Sequence, residues 1–250
     1  MYDLSTDPNS TFDARRRPVL GLWIWVVVFG IAFAWVESAV VVYLREIYFD
    51  GAFRFPIVVN WEGGRHVLDT LMKVEFGREL ATIVMLVAVG WAAGRTAWQK
   101  FCFFMIAFGI WDIFYYLWLW VMIRWPASVM TWDLLFFIPL PWVGPVITPV
   151  LIALAMVAAG SLIIYYESKG CRFPWRWYDW AIEMGCGLIM VVSFCWDWKN
   201  IMRLPDGQPY SGIPNPFAWW LYLPAYLLAV VYFGARLRKW VCGARAPSFP

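Results

Sequence analysis

The chain has 250 residues, of which 62% are hydrophobic, 20% aromatic and 15% charged, and its formal net charge is +3. A soluble domain typically carries about 25% charged residues, so this composition excludes an ordinary soluble protein. Several apolar runs approach or exceed the roughly 20 residues that a helix needs to cross a bilayer. The basic residues form no single patch, which gives no support to nucleic-acid binding. The sequence predicts an integral membrane protein.

Six apolar segments are candidate transmembrane helices. They are residues 19–44, 80–94, 101–123, 145–166, 178–196 and 217–235. The sequence therefore predicts an all-α bundle of six spans. We divide the chain into an N-terminal tail (1–18), a transmembrane domain (19–235) and a C-terminal tail (236–250).

The second apolar segment is short for a membrane span. Residues 80–94 would form a helix of about 22 Å, whereas the hydrocarbon core is about 30 Å thick. The preceding residues 66–79 place apolar side chains at helical spacing, which predicts an amphipathic helix that continues into the span. Either the bilayer thins here, or Arg78 and Glu79 lie below the headgroups against protein.

Four prolines interrupt the chain around the start of the fourth span. They are Pro139, Pro141, Pro145 and Pro149. One regular helix cannot contain prolines at this density, because each removes a backbone donor and clashes with the preceding turn. Irregular backbone at membrane depth must be surrounded by protein or by a wet cavity. We therefore expect a broken, re-entrant or interfacial piece over residues 134–144, with the fourth span beginning near Pro145.

The distribution of Lys and Arg predicts the orientation. Six spans place both termini on one side, and that side carries twelve of the 20 Lys and Arg residues, in short segments close to span ends. Cytoplasmic loops are enriched in these residues. We therefore expect a protein of the bacterial inner membrane with both termini in the cytoplasm.

One carboxylate stands at the middle of the third span. A charge such as that of Asp112 costs about 2.5–3.5 kcal/mol at the bilayer centre on insertion scales, so it normally faces the protein interior and has a partner. Tyr115 and Tyr116 follow at i+3 and i+4, on the same face of the helix. A phenol at either position could donate a hydrogen bond to Asp112.

Further acidic and basic residues fall in the same half of the predicted bundle, and two interpretations of them remain open. In the first, the arginines neutralise the glutamates, the tyrosines satisfy Asp112, and the network only fixes helix packing. In the second, intramembrane carboxylates at different depths serve as acid and base, or bind an ion. The catalytic candidates are then Glu37, Glu75, Glu79 and Asp112. The supporting polar residues are Arg45, Arg78, Tyr115, Tyr116 and Asp133.

Other ionisable residues give weaker signals. Glu183 lies one turn from Asp179 in the fifth span, where we expect it to reach toward the interface or to pair with an arginine. His66 is the only histidine, which excludes the usual multi-histidine metal sites. The five cysteines show neither metal spacing nor a disulfide framework. The sequence predicts no metal site.

Aromatic residues are abundant, with 20 Trp, 12 Tyr and 19 Phe. Trp and Tyr near span ends are typical of interfacial belts. Interior residues such as Trp35, Trp111 and Trp118 are more typical of packing. Walls this aromatic would also suit a flat or polyene ligand, so a bound lipid, quinone or carotenoid is a candidate cofactor.

The stretch TWDLLFFIPLPWVG, residues 131–144, resembles an apolar run of membrane lycopene cyclases over about a dozen residues. Those enzymes carry a paired-glutamate motif just before the run, where this chain has only Asp133. The resemblance therefore does not predict membership of that family.

Three functions remain open from the sequence. The first is a membrane subunit of a larger inner-membrane assembly, with lipids and other membrane proteins as partners. The second is an intramembrane enzyme that acts on a lipid or isoprenoid by carboxylate acid–base chemistry. The third is a proton- or ion-coupled transporter that uses the same carboxylates and the broken segment. The sequence alone names no substrate and leaves both enzymatic and non-enzymatic roles open.

Overall fold

The computed structural model describes residues 8–50, 58–59, 64–136, 140, 142–171, 173–197 and 216–243. Within these residues the chain forms six long helices: α1 (Pro8–Tyr48), α2 (Gly64–Ala93), α3 (Ala97–Ile123), α4 (Ile147–Ser168), α5 (Trp177–Cys195) and α6 (Trp219–Gly243). The strands in the same residues are β1 (Phe49–Asp50), β2 (Val58–Val59), β3 (Trp132–Phe136) and β4 (Trp142–Pro145). Each helix contains a stretch long and apolar enough to cross a membrane. The predicted all-α bundle of six spans is confirmed.

Helix α3 occupies the centre of the bundle. It packs against α1, α2 and α4, and 44% of its most apolar stretch is buried, the largest share among the described spans. Close approach to α4 depends on glycine in both helices. A Cβ atom added at Gly109 would lie 2.6 Å from the carbonyl oxygen of Ala153, and one at Gly160 would lie 2.8 Å from that of Cys102. Small residues of this kind let membrane helices approach through their backbones.

Helix α2 is longer than the apolar segment that the sequence predicts for it. It runs unbroken from Gly64 to Ala93, so the amphipathic and apolar segments form one helix, and the membrane-spanning part begins at Lys73. Arg78 lies inside this span and pairs with Glu37 of α1. The charges at the head of the apolar segment therefore lie against protein, as one of the two alternatives predicts.

In the proline-rich segment β3 pairs antiparallel with β4, which the sequence analysis did not predict; we call this pair of strands the hairpin. Its register places Asp133 opposite Gly144. Pro149 cannot donate to the carbonyl oxygen of Pro145, and the hydroxyl of Thr148 donates to that oxygen instead, at 2.6 Å. Pro139 and Pro141 lie outside the described residues. The depth of the hairpin in the membrane, re-entrant or interfacial, stays a prediction.

Helices α5 and α6 pack against each other and join the rest of the bundle through β4 and α4. The hydroxyl of Tyr222 on α6 donates to the carbonyl oxygen of Thr148 at 2.6 Å, and that of Tyr226 donates to Leu151 at 3.2 Å. We call the end of the bundle that carries β3 and β4 the hairpin end. The opposite end, with the short α2–α3 and α4–α5 connections, is the turn end.

Candidate functional site

An ion pair joins α1 to the hairpin. Nη2 of Arg45 donates to Oδ1 of Asp133 at 2.8 Å, and the hydroxyl of Tyr116 on α3 donates to the other carboxylate oxygen at 3.2 Å. The guanidinium of Arg45 also lies 5.5 Å from the centre of the Trp125 ring. Asp133 is only 1% exposed, so its charge depends on these partners. The arrangement holds α1, α3 and β3 together at the hairpin end.

A second charged cluster joins α1 to α2. Arg78 pairs with the carboxylate of Glu37 and also donates from Nε to Oε2 of Glu75 at 2.9 Å. The hydroxyl of Thr82 donates to the remaining oxygen of Glu37 at 2.6 Å. Both oxygens of Glu37 are therefore bonded, each to a different turn of α2. Glu79, the other candidate on this helix, is also buried.

Tyr115 lies between these two clusters. Its phenol is within electrostatic range of Arg45 and Asp133 on one side, and of Arg78 and Glu37 on the other. The structure thus brings most of the predicted polar residues into one connected region between α1, α2, α3 and β3.

Asp112 stands apart from the ion pairs. It lies one turn from Gly109, on the face of α3 that packs against α4. Tyr222 of α6 and Asp133 are within electrostatic range of it. Its Oδ2 atom is buried, and within the part of the chain that the structure describes this oxygen has no hydrogen-bond partner. Among the four catalytic candidates, Asp112 is the one with a buried oxygen that lacks a hydrogen-bond partner in the described residues.

Two expected pairings are corrected by the structure. The phenol of Tyr116 donates to Asp133 and not to Asp112, although Asp112 is only four residues away on the same helix. Arg45, expected to neutralise a glutamate, pairs with Asp133, whose place beside α1 depends on the unpredicted hairpin. Arg78 neutralises Glu37 and Glu75 as expected.

A third cluster of polar residues lies at the turn end, and the sequence analysis did not predict it. Asp179 is fully buried at the start of α5, where it accepts hydrogen bonds from Arg236 at 2.8 Å and from the Tyr232 hydroxyl at 2.5 Å. It also caps α5 by accepting from the backbone N–H of Arg176 at 2.8 Å. The acidic residue in the first turn of the fifth span was the available signal.

Glu183, expected to reach the interface or an arginine, has a buried Oε1 atom that lacks a hydrogen-bond partner in the described residues.

The chemistry available to the site at the hairpin end is that of carboxyl, phenol and guanidinium groups. Over the described ranges, no group of three or more His, Cys, Asp and Glu residues is placed to hold a metal ion. Acid–base chemistry and hydrogen bonding to a ligand are what these side chains can offer.

Comparison with known proteins gives no assignment: no protein-family model, no curated protein and no solved structure matches this chain. The protein is an integral membrane protein with six candidate spans in the described residues.

Proposed function

We propose that the protein is an intramembrane enzyme that acts on a lipid or isoprenoid, with Asp112 as the acid–base residue. The observation that carries the proposal is the buried Oδ2 atom of Asp112, which has no hydrogen-bond partner in the described residues and lies in the middle of a membrane-spanning helix. Ionisable residues at this depth are expensive, and they commonly mark substrate or proton pathways. Glu37 and Asp133 are engaged in ion pairs, so they are less suited to exchanging a proton with a substrate.

The position of Asp112 supports an apolar substrate. It lies near the middle of α3, so a molecule that reaches it must be soluble in the hydrocarbon region. Tyr116 and Tyr222, which are within electrostatic range of Asp112, supply aromatic surface nearby. The substrate must dissolve in the hydrocarbon region and must exchange a proton with Asp112. Apolar chains with carbon–carbon double bonds do both, because they dissolve in the membrane and accept a proton on carbon.

The proposed step is an isomerisation that balances without a cofactor. The carboxyl group of Asp112 gives its proton to one carbon of a double bond, which leaves a carbocation on the substrate. The resulting carboxylate then removes a proton from a neighbouring carbon, so that the double bond moves, or a ring closes, and Asp112 regains its proton. The aromatic faces of Tyr116 and Tyr222 would stabilise the positive charge of this carbocation. Arg45, Asp133 and Tyr116 hold the hairpin and α3 in position.

The test compares membranes that contain the native protein, Asp112→Asn or no protein. Chromatography and mass spectrometry of the extracted lipids are expected to reveal a product that requires the native carboxyl group. Glu183→Gln is the matched control, because Glu183 also has a buried oxygen without a partner in the described residues but lies in α5. A product formed equally by Asp112→Asn would refute the assignment. Proton flux into proteoliposomes that depends on Asp112, without any lipid product, would favour transport instead.

A second proposal is a subunit role in a larger inner-membrane assembly. Helix α6 supports it, since only 11% of its most apolar stretch is buried, and Trp220 is 64% exposed. This face of α6 is available to a helix of a partner subunit. The same face is also available to a lipid, a quinone or a carotenoid. Native mass spectrometry after gentle extraction would show stoichiometric partners if the proposal is right. A monomer that carries only lipid would count against it.

The proposed orientation has both termini in the cytoplasm. It is supported by the excess of Lys and Arg near the span ends on that side. A reporter enzyme fused to the C-terminus, active only in one compartment, would test it. Periplasmic activity of the fusion would reverse the assignment.

A further inference from the structure

Three tryptophans meet at the turn end of the bundle. The ring centres of Trp98 and Trp175 are 5.2 Å apart, those of Trp175 and Trp180 are 5.3 Å apart, and those of Trp98 and Trp180 are 5.5 Å apart. We call these residues the tryptophan triad. They come from the first turn of α3, the segment before α5 and the first turn of α5, so the triad joins two parts of the bundle.

Two indole N–H groups of the triad have no acceptor in the part of the chain that the structure describes. The Nε1 atoms of Trp98 and Trp175 are buried and have no hydrogen-bond partner among the residues whose structure is defined. Buried tryptophan usually finds such a partner. Two donors within one aromatic cluster that the described residues leave without an acceptor point to a site for an acceptor group.

An acceptor that no described residue uses lies at the same end. Oε2 of Glu167, the penultimate residue of α4, is buried and also lacks a partner in the described residues. Gly160 of α4 approaches the backbone of Cys102 on α3. Glu167 lies two helical turns further toward the turn end, and Trp98 lies one turn in the same direction along the antiparallel α3. Glu167 is also within electrostatic range of Cys102.

These groups lie where a bilayer has its headgroups. Trp98 is the second residue of a span, Glu167 is the next to last of another, and Trp175 precedes a third by two residues. Residues at such span ends lie at the interface between hydrocarbon and water. A ligand held here can therefore be a lipid headgroup, with its acyl chains along the exposed faces of the helices.

We propose that this region binds the headgroup of an ethanolamine phospholipid. The phosphate oxygens would accept from the indole N–H groups of Trp98 and Trp175, and the ammonium group would donate to Glu167. The electron-rich faces of the triad add a favourable contact for the cation. Three unused polar groups are then satisfied by one molecule that is complementary in charge and in hydrogen bonding. The inference does not depend on the function of Asp112.

The carboxylate of Glu167 would determine which phospholipid headgroup binds. A choline headgroup carries the same charge as ethanolamine, but its nitrogen bears methyl groups and has no hydrogen to donate to Glu167. A glycerol headgroup leaves a net anion, which Glu167 would repel. We therefore expect ethanolamine lipid to bind about tenfold more tightly than choline or glycerol lipid of the same acyl chains, the effect of one hydrogen bond between charged groups.

The test uses the full chain, stripped of lipid in detergent and titrated with each phospholipid, with bound lipid counted by native mass spectrometry. Glu167→Gln is expected to bring the ethanolamine affinity down to that of the choline lipid, whereas Trp98→Phe, which loses a phosphate contact common to the three lipids, is expected to weaken the binding of each. Trp142→Phe is the matched control at the hairpin end, because it loses an indole N–H that is likewise buried and unpartnered in the described residues. It is expected to keep the native preference.

A stability measurement separates binding from folding. At one lipid concentration, ethanolamine lipid is expected to raise the melting temperature of the native protein and of Trp142→Phe, and to raise that of Glu167→Gln no more than the choline lipid does, because stabilisation by a bound ligand grows with its affinity. The proposal is overturned if the three lipids bind equally, if the glycerol lipid binds best, or if folded Glu167→Gln keeps the native preference.

Discussion

The Arg45 guanidinium lies 2.8 Å from the carboxylate of Asp133, which ties the end of α1 to the first strand of the hairpin. The two residues are 88 positions apart in sequence. Asp133 also accepts from Tyr116, so three elements converge on one carboxylate. The position of the hairpin against α1 and α3 therefore depends on a charged contact that has little access to solvent.

Asp133→Asn tests this dependence. The change keeps the size of the side chain and removes its charge, which leaves the Arg45 guanidinium partly buried without its ion-pair partner on the hairpin. Breaking a buried pair from one side costs about 3–5 kcal/mol. We expect the free energy of unfolding, measured by denaturant titration in detergent, to fall by about that amount. An unfolding free energy within about 1 kcal/mol of the native value would show that Arg45 finds adequate partners elsewhere.

Asp112→Leu is expected to have the opposite effect on stability. Leucine has the same branching and the same number of non-hydrogen atoms as aspartate and presents no polar atom, so it removes the cost of a buried oxygen that lacks a partner in the described residues. We expect the free energy of unfolding to rise by about 1–3 kcal/mol while the proposed activity is lost. The same denaturant titration and the lipid assay measure the two effects. Destabilisation by this change would indicate that Asp112 has a structural role.

Glu37 and Glu75 both pair with Arg78, but only the pair with Glu37 joins two helices. Glu37 joins two helices and also accepts from Thr82, whereas Glu75 pairs with Arg78 at i,i+3 within α2. Glu37→Gln should therefore destabilise the protein by about 3 kcal/mol, as for a buried pair broken from one side. Glu75→Gln should cost below about 0.5 kcal/mol, the usual value of a pair within one helix.

Thr82→Val isolates one bond of this cluster. Valine has nearly the same shape as threonine and removes only the hydroxyl that donates to Glu37 at 2.6 Å. We expect a loss of about 1–3 kcal/mol, since a hydrogen bond to a charged group disappears and leaves one carboxylate oxygen unpaired. Thermal unfolding of Glu37→Gln with and without Thr82→Val provides the control. If the hydroxyl acts through Glu37, its removal from the Glu37→Gln protein should have a smaller effect.

The sequence predicted the spans well because their signal is local. The apolar run from Phe101 to Ile123 is enclosed by Lys100 and Arg124, and the structure begins α3 at Ala97 and ends it at Ile123. Continuity of α2 through Arg78 also followed from helical spacing. These features depend on neighbouring residues, which a single sequence contains, and on the thickness of the bilayer, which is about the same for most membranes.

The partners of the polar residues could not be predicted in the same way. Helical spacing places Tyr116 near Asp112, but it does not reveal that the β3–β4 hairpin brings Asp133 to the phenol from outside the helix. Asp179 and Arg236 are likewise 57 residues apart, and their pairing requires the packing of α5 against α6. Long-range contacts of this kind follow from the arrangement of the elements, which spacing within one element cannot supply.

Glycine substitutions test the packing of α3 against α4. Alanine at Gly109 would place a Cβ atom 2.6 Å from the backbone oxygen of Ala153, and backbone cannot move aside as the end of a side chain can. The helices must separate, and overpacking of this kind costs about 1–3 kcal/mol.

Gly185→Ala in α5 is the matched control for Gly109→Ala. A Cβ atom there meets no described atom within 4 Å. Alanine also favours the helix over glycine by about 1 kcal/mol, so this variant should be at least as stable as the native protein. Unfolding in the same detergent gives both values. Equal stability of the two variants would mean that α3 and α4 can separate without cost, and that Asp112 is not held at a fixed distance from α4.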